Sequence, residues 1–523
     1  MASSALTTSL RGMGRPALSR RIDWPVVLGL AVLVLLMRGA AFGNPVSDFD
    51  DQLYSFIGWR MLHGELPFVD WFDRKPFGLF ALFAIAHAIG GPSAMAYQAL
   101  AMLFTLGGAL LTCHLARPLA DRTGAAIAGA FYVVLMVAYG GPSGQSEAFF
   151  VPMMLVALAL VRDWHRPDAP RRALASMALC GLALQIKYTV LPQCLFLGLW
   201  VLYGQWRTGA SLALLIRRAL IYAALGLAPT ALVGLFYLAI GGWDAFWFAN
   251  ITSSFARAGG HESRFHPSLL LWTVPLLLPL LGALYYSLRV APPRDGPRYL
   301  YFALWSLSVL ATVLLPKTIY PYYFAALAPC IALLATPFYA RASLIGLGPP
   351  LLLLAFTINM LNLPARYPRE AAERRDIAAF AAAIAPHVDA QENCLFVFDG
   401  PTALYRLTGG CVPSRIVYPD HFNNALETDA IGVSQVGEIA RILANHPGVI
   451  VTASSSVTPQ NPDALELITL TANRDYQPIA HVLVSSRVIT AWARQDDPLL
   501  GRQTSGLPPG SQAIAAPAMF SDN

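Results

Sequence analysis

A mainly α, polytopic transmembrane bundle carrying a small C-terminal soluble α/β domain is the fold this sequence predicts, and three observations predict it. Of 523 residues, 56% are hydrophobic and only 13% are charged, and the mean hydropathy is +0.52, far too apolar for a soluble chain. Apolar stretches of about 20 residues, the length that crosses a hydrocarbon layer about 30 Å thick, recur from Trp24 to Leu363. Beyond Leu363 the pattern changes to short helical and strand-like segments in alternation.

Residues 1–23 form a basic tail with Arg11, Arg15, Arg20 and Arg21. The first apolar stretch, 24–42, is long, carries Arg38 and lacks a small-residue cleavage pattern after it, so it reads as a retained span. Further stretches follow at 76–90, 93–116, 123–139, 147–161, 173–204, 219–240, 269–288, 299–315, 321–338 and 343–361. Some are short or fused, which gives about eleven to thirteen crossings for a membrane body spanning 24–363.

The net charge of +6 does not imply a nucleic-acid partner, because the bases sit in short loops between spans. Arg162, Arg166, Arg171 and Arg172 form one group, Arg207, Arg217 and Arg218 a second, and Arg289, Arg294 and Arg298 a third, as the positive-inside rule expects. With the N-terminus inside, the loops 43–75, 241–267 and 316–321 fall on the outer side. Arg366, Arg369, Arg374 and Arg375 pull the other way by charge, although long domains are translocated largely regardless of it.

The soluble unit, 364–496, reads as helix (Arg369–Ala385), strand (Cys394–Asp399), helix (Ser434–Asn445), strand (Gly448–Thr452) and helix (Asp463–Arg474). Two last runs, Ile479–Val484 and Val488–Trp492, can pair. Asp399-Gly400-Pro401 after the first strand is no dinucleotide loop. Residues 497–523, rich in Pro, Gly and Ser, are predicted to be disordered. The six cysteines show no metal spacing. Cys113, Cys180, Cys194 and Cys330 lie in apolar spans, while Cys394 and Cys411 lie in the soluble unit, where a disulfide is permitted outside the cytoplasm.

The loop Gly43–Lys75 carries the chemistry. Asp48, Asp50, Asp51, Glu65, Asp70 and Asp73 face Arg60, Arg74 and Lys75 between two apolar spans. Leu53, Phe56, Ile57, Met61 and Leu62 recur at helical spacing, with Ser47 or Asp48 as cap and Gly64 as stop. Such a helix is expected to lie flat on the membrane, apolar face down, with Asp50 and Asp51 at its N-terminus. Pro76 suits the first turn of the next span. A lipid-linked sugar presents its reactive C1–O–phosphate bond at this depth. Transfer from it needs a carboxylate to take a proton and cations or a metal to meet the phosphate charge. The plainer readings are a cap for Asp50 and Asp51, a snorkelling Lys75, a head-group contact for Arg60, and solvated loop groups for His261 and Glu262. Lys187, inside an apolar run, is costly and therefore suggests function.

The run Asp48-Phe-Asp-Asp-Gln-Leu-Tyr54, with Trp59-Arg-Met-Leu-His-Gly-Glu-Leu-Pro67 and Asp73-Arg-Lys-Pro-Phe-Gly78, resembles the first outer loop of GT-C glycosyltransferases. It is similar, more narrowly, to the protein-mannosyltransferase and lipid A aminoarabinose-transferase group. Gln145-Ser-Glu-Ala-Phe149, Gln185-Ile-Lys-Tyr-Thr189, Tyr320-Pro-Tyr-Tyr-Phe324 and Pro413-Ser-Arg-Ile-Val-Tyr-Pro419 are fainter echoes. Two positions depart from the pattern: Phe77 replaces the second proline of Lys-Pro-Pro, and Arg74 stands where a glutamate precedes the lysine.

The resemblance implies an inverting transferase of the bacterial inner membrane, taking a sugar from an undecaprenyl- or other polyprenyl-phosphate on the periplasmic side, where the C-terminal domain also lies. Asp50 matches the base or metal-linked acid, with Asp51 beside it. Lys75 matches the donor-phosphate lysine, with Arg60, Arg74 and Arg257 as further phosphate ligands. Asp73, Glu147, Lys187, His261 and Glu262 rank lower. A divalent metal ion is the one cofactor for which the resemblance leaves room, and the acceptor, whether lipid, glycan or protein, is not readable. The rival reading is a transporter or flippase of a lipid-linked sugar. That reading expects polar or broken midplane helices, often in two related halves, and no internal repeat is visible.

Overall fold

A computed structural model of the protein describes residues 23–257, 267–316, 319–341 and 344–500. The chain begins with α1 (Trp24–Arg38), whose Pro25 occupies the first turn, where a missing N–H costs nothing. A loop carrying α2 (Asp50–Met61) leads to α3 (Phe77–Gly90). The bundle continues with α4 (Ala94–Ala116), α5 (Arg122–Gly140), α6 (Glu147–Val161), α7 (Ala169–Leu184), α8 (Leu191–Arg207) and α9 (Leu212–Ala239). The short helices α10 (Trp243–Trp247) and α11 (Ser253–Ala256) precede α12 (Pro267–Arg289) and α13 (Gly296–Leu314). A 3₁₀ segment, Pro321–Leu327, runs into α14 (Ala328–Leu334), followed by α15 (Thr336–Tyr339) and α16 (Leu344–Met360).

Among the described residues, six helices are long and apolar enough to cross a membrane, and four shorter apolar helices accompany them. The stretch 173–204, continuous by hydropathy, divides into α7 and α8 around Lys187. Pro192, in the first turn of α8, lacks the N–H that an uninterrupted helix would need and favours a fresh start.

Asn362, left-handed at φ 47°, separates α16 from α17 (Leu363–Ile384), which leads into the soluble part. There follow β1 (Leu395–Val397), α18 (Leu404–Thr408), α19 (Pro419–Asn423), α20 (Gln435–Ala444), β2 (Val449–Ala453), α21 (Pro462–Asp475), β3 (Tyr476–Val484) and β4 (Arg487–Arg494). The sheet order is β1-β2-β4-β3. β1 and β2 are parallel, and the crossover this demands contains α20. β3 and β4 form a hairpin through Ser485 and Ser486, both at positive φ, as a two-residue primed turn requires. Pro478 sits beside a bulge in the edge strand β3, where the missing N–H is tolerated. A disulfide joins Cys394 to Cys411 and pins the start of β1, while Cys113, Cys180, Cys194 and Cys330 are buried thiols.

One expectation is corrected here. α2 does not lie open on a lipid surface: Asp51–Gly58 are buried without a break. On one side Tyr54 meets Phe80 and Phe83 of α3 edge-on, with ring centroids 6.3 and 5.6 Å away. From the soluble part, Tyr405 packs on Phe56 at 5.9 Å, and the Ala403 amide donates to Gln52 Oε1 at 3.1 Å. The soluble domain thus covers the face that a membrane-surface helix would leave to water, and even Ser55 and Gly58 are enclosed.

Gly58 makes the close approach of α2 to α3 feasible. A Cβ there would come within 2.8 Å of the Ala84 backbone nitrogen and of Phe83 Cβ. Gly58→Ala is expected to wedge the helices apart at a cost of about 1–3 kcal/mol. A lowered unfolding midpoint of the purified protein would register this, and an unchanged midpoint would count against the contact.

Candidate active site

α2 starts at a cap built by Asp48. Its Oδ1 accepts the amide N–H groups of Asp50 (3.0 Å) and Asp51 (3.3 Å) and the side-chain amide of Gln145 (3.0 Å). Asp50 is thereby fixed at the positive end of the helix dipole. Its Oδ1 accepts the Tyr418 hydroxyl at 2.6 Å and its Oδ2 the Tyr54 hydroxyl at 3.2 Å. Burial pushes the Asp50 carboxyl up. The Lys75 ammonium outweighs that penalty together with Tyr418, Gln145 and Tyr54, and holds the group below the ordinary carboxylate range.

Lys75 sits immediately before Pro76, the N-cap of α3, with its ammonium 5.2 Å from the centre of the Tyr54 ring. Among the described residues it forms no salt bridge, and its charge acts on Asp50. Across the site, Glu147 opens α6 and pairs with Lys187 from the turn between α7 and α8. The Lys187 ammonium also lies 4.1 Å from the Tyr323 ring centre and 5.4 Å from that of Tyr322. The charges of Lys75 and Asp50 both reach Lys187. Asp73 belongs to the same neighbourhood: its Oδ1 accepts the Arg74 amide at 2.6 Å, while Oδ2 is buried without a partner among the described residues. Burial pushes the Asp73 carboxyl up, against the pull of Lys75 and Arg74.

A second cluster joins the bundle to the soluble domain. Glu427, fully buried, pairs with Arg74 and makes an ionic contact of 2.7 Å with Arg257 Nε. Arg257 also donates to the Tyr320 hydroxyl at 2.7 Å. His421 Nε2 lies 3.4 Å from Arg74 Nη2. Burial, followed by the fields of Arg74, Lys75 and Arg257, pushes His421 well below the usual imidazole range, so it is neutral.

The structure therefore brings Asp50, Asp73, Lys75, Arg74, Arg257, Glu147 and Lys187 into two adjoining clusters. Asp51 points elsewhere: its carboxylate accepts Ser143 Oγ, the Gly144 amide at 2.8 Å and Tyr97 OH at 3.5 Å. Burial pushes that carboxyl up to about 7 against these donors. Asp51→Ala is expected to leave the Ser143 hydroxyl proton and the Gly144 N–H without their acceptor and to lower stability by about 1–3 kcal/mol, measurable as a shift in unfolding midpoint. Arg60 sits near the opposite end of α2, about 15 Å along the helix from Asp50. There it pairs with Glu65 at 2.7 Å and lies over Trp71 at 5.0 Å. His261 and Glu262 fall outside the described residues.

Tyr418, Glu427 and His421 were not singled out from the sequence. Tyr418 is 368 positions from its partner Asp50, and Glu427 is one acid in a polar stretch. The only sequence signal is the Pro413–Pro419 run, which contains Tyr418 without marking it. Among the described residues no three His, Cys, Asp or Glu side chains converge as a metal cage.

The fold resembles the GT-C architecture. Within it, the chain is similar to ArnT from Cupriavidus metallidurans bound to undecaprenyl phosphate, with a TM-score of 0.59 and 17% identity, over 90% of this chain and 98% of that one. The apo state of that ArnT gives 0.57 and 16% over the same shares. AglB, an archaeal oligosaccharyltransferase from Archaeoglobus fulgidus in complex with an inhibitory peptide and a dolichol-phosphate, gives 0.48 and 12% over 93% of this chain and 75% of its own. No family model matches the chain, and no curated protein matches it in sequence.

Proposed function

We propose that this protein is an integral-membrane glycosyltransferase that moves a sugar from a polyprenyl-phosphate donor to an acceptor. One observation carries the proposal: an ionised Asp50, held by Tyr418 and Tyr54, beside the unpaired Lys75 on a GT-C fold. Asp50 takes the proton of the acceptor nucleophile, which attacks C1 of the sugar from the face opposite the phosphate. The C1–O bond breaks, and its electron pair leaves with the polyprenyl phosphate. Lys75, with Arg74, Arg257 and Lys187 around it, meets the negative charge that develops there. The configuration at C1 inverts. Asp51 serves as the anchor of α2 and Arg60 as a brace at its far end.

Two further features bear on sidedness. The Cys394–Cys411 disulfide suits an oxidising compartment, and Tyr418 and Glu427 bring the soluble domain onto the site. The soluble domain and the site accordingly lie on the periplasmic face of a bacterial inner membrane. Purified protein in sealed vesicles, supplied with a polyprenyl-phosphate sugar and an acceptor, is the test. A covalent product with released polyprenyl phosphate supports the reading. Donor crossing the bilayer intact, with no product, would replace it with a flippase.

A further inference from the structure

The far end of the bundle holds a site with no part in this chemistry. α8 runs about 25 Å from Leu191, just after the Lys187 turn, to Arg207. At that far end a cavity of about 290 Å³ opens between the α6–α7 loop, α8 and α9, lined by Asp163, Trp164, Arg166, Gln205, Thr208 and Arg218 among others. Along the same helices a second cavity, of about 300 Å³, is lined almost wholly by apolar side chains, including Met177, Leu195, Leu199 and Leu202, with Tyr222 at its edge. The two are linked: Gln205, in the polar cavity, donates through Nε2 to the hydroxyl of Tyr222, in the apolar one, at 2.7 Å.

Three features say what fills this cleft. First, its depth is that of lipid head groups. Trp164 packs at 5.0 Å, tilted, against Trp200 and at 5.4 Å, edge-on, against Tyr203, and Tyr203 and Trp206 are exposed, which is how aromatic residues mark a membrane interface. Second, its charge is positive. Arg166 and Arg218 line it against Asp163, and Arg162, Arg171, Arg172, Arg207 and Arg217, with Asp168, are near them in sequence. Asp163 is engaged by Arg162 at 2.9 Å and by Arg298 at 3.5 Å, and Asp168 by Arg166 and Arg172, both at 2.9 Å. Arg218, half-buried in the polar cavity wall, has no ion pair or hydrogen bond among the described residues. Third, Gln205 Oε1 is buried without a donor among the described residues. The site therefore asks for an anion, a hydroxyl donor and a hydrocarbon chain in one molecule.

We propose that the α7–α8–α9 cleft binds one anionic glycerophospholipid of the leaflet opposite the active site. Its phosphate meets Arg218 and Arg166, a head-group hydroxyl meets Gln205 Oε1, and an acyl chain fills the apolar cavity. The test is native mass spectrometry of the full chain released from detergent with phosphatidylglycerol or phosphatidylcholine. Wild type is expected to retain one phosphatidylglycerol at least tenfold more than phosphatidylcholine. Arg218→Gln is expected to abolish that preference. Gly198→Leu fills the apolar cavity from a position where a new Cβ meets only Met177 Sδ at 3.7 Å, so it spares the fold while blocking the chain. It is expected to lower retention of both lipids. Equal retention of the two lipids by wild type would overturn the proposal. So would unchanged retention in both variants, or full displacement of phosphatidylglycerol by inorganic phosphate at millimolar concentration, which would mark a free-anion site.

Discussion

Asp50→Asn is expected to lower sugar transfer by roughly 10²–10⁴-fold while the protein folds and inserts as before. The amide keeps the size of the carboxylate and can still accept from one of Tyr418 and Tyr54 while its NH2 donates to the other hydroxyl, but it cannot take a proton from the acceptor. A steady-state assay on purified variant, normalised to folded protein, would read this, and transfer within a factor of two of wild type would remove Asp50 from the reaction. The pH dependence gives a second handle. Asp50 is held below its ordinary value, 3.8 for an aspartate, so the base form persists down to acidic pH. Tyr418→Phe removes one donor to the charged form, which raises the Asp50 pKa and moves the acid limb of the rate profile to higher pH. The sign for stability is the same. Pairing of Asp50 supports the fold above the ordinary carboxylate range and is lost as pH falls through the depressed value.

Glu427→Ala is expected to produce the largest loss of stability, about 3–5 kcal/mol, because it removes the buried carboxylate that pairs with both Arg74 and Arg257. Both guanidiniums are mostly shielded, with 15% and 20% of their side chains exposed, so water compensates poorly. The loss should show as a lower unfolding midpoint and as faster proteolysis between α16 and α17, where Asn362 interrupts the helices. Glu427→Gln, which keeps the shape without the charge, is expected to fall between wild type and the alanine variant. A midpoint for Glu427→Ala equal to wild type would mean that the ion pairs are not what joins the domain to the bundle.

The bundle is legible in the sequence because it is written in composition. A chain with so few charges must bury itself in lipid, and the long isolated spans announce their own length, whereas 173–204 fuses two helices. The elements of the soluble sheet are legible for a similar reason: Val449–Ala453 is a short, mostly buried run rich in β-branched residues, and the β3–β4 pair flanks a two-residue turn. The acidic loop could be found because charges between apolar spans stand out. What α2 packs against could not, since its outer face is covered by Tyr405 and Ala403, some 350 positions away in sequence. Lys187 was flagged by the cost of burying an amine, yet its partner Glu147 was fixed only by packing of α6 against the α7–α8 turn. Asp50 and Asp51 look interchangeable as neighbours in a string. On a helix they point in different directions, one to the tyrosines of the site and the other to Ser143 and Gly144.

If the cations below Asp50 hold the carrier's phosphate, binding and chemistry separate on two side chains. Titrating undecaprenyl phosphate onto purified wild type, Lys75→Met and Asp50→Asn is the direct measurement. Lys75→Met should weaken binding by about tenfold or more, on the order of 1.4 kcal/mol, and Asp50→Asn should bind as wild type does. Undiminished binding by Lys75→Met would place the phosphate elsewhere and contradict the assignment of this site.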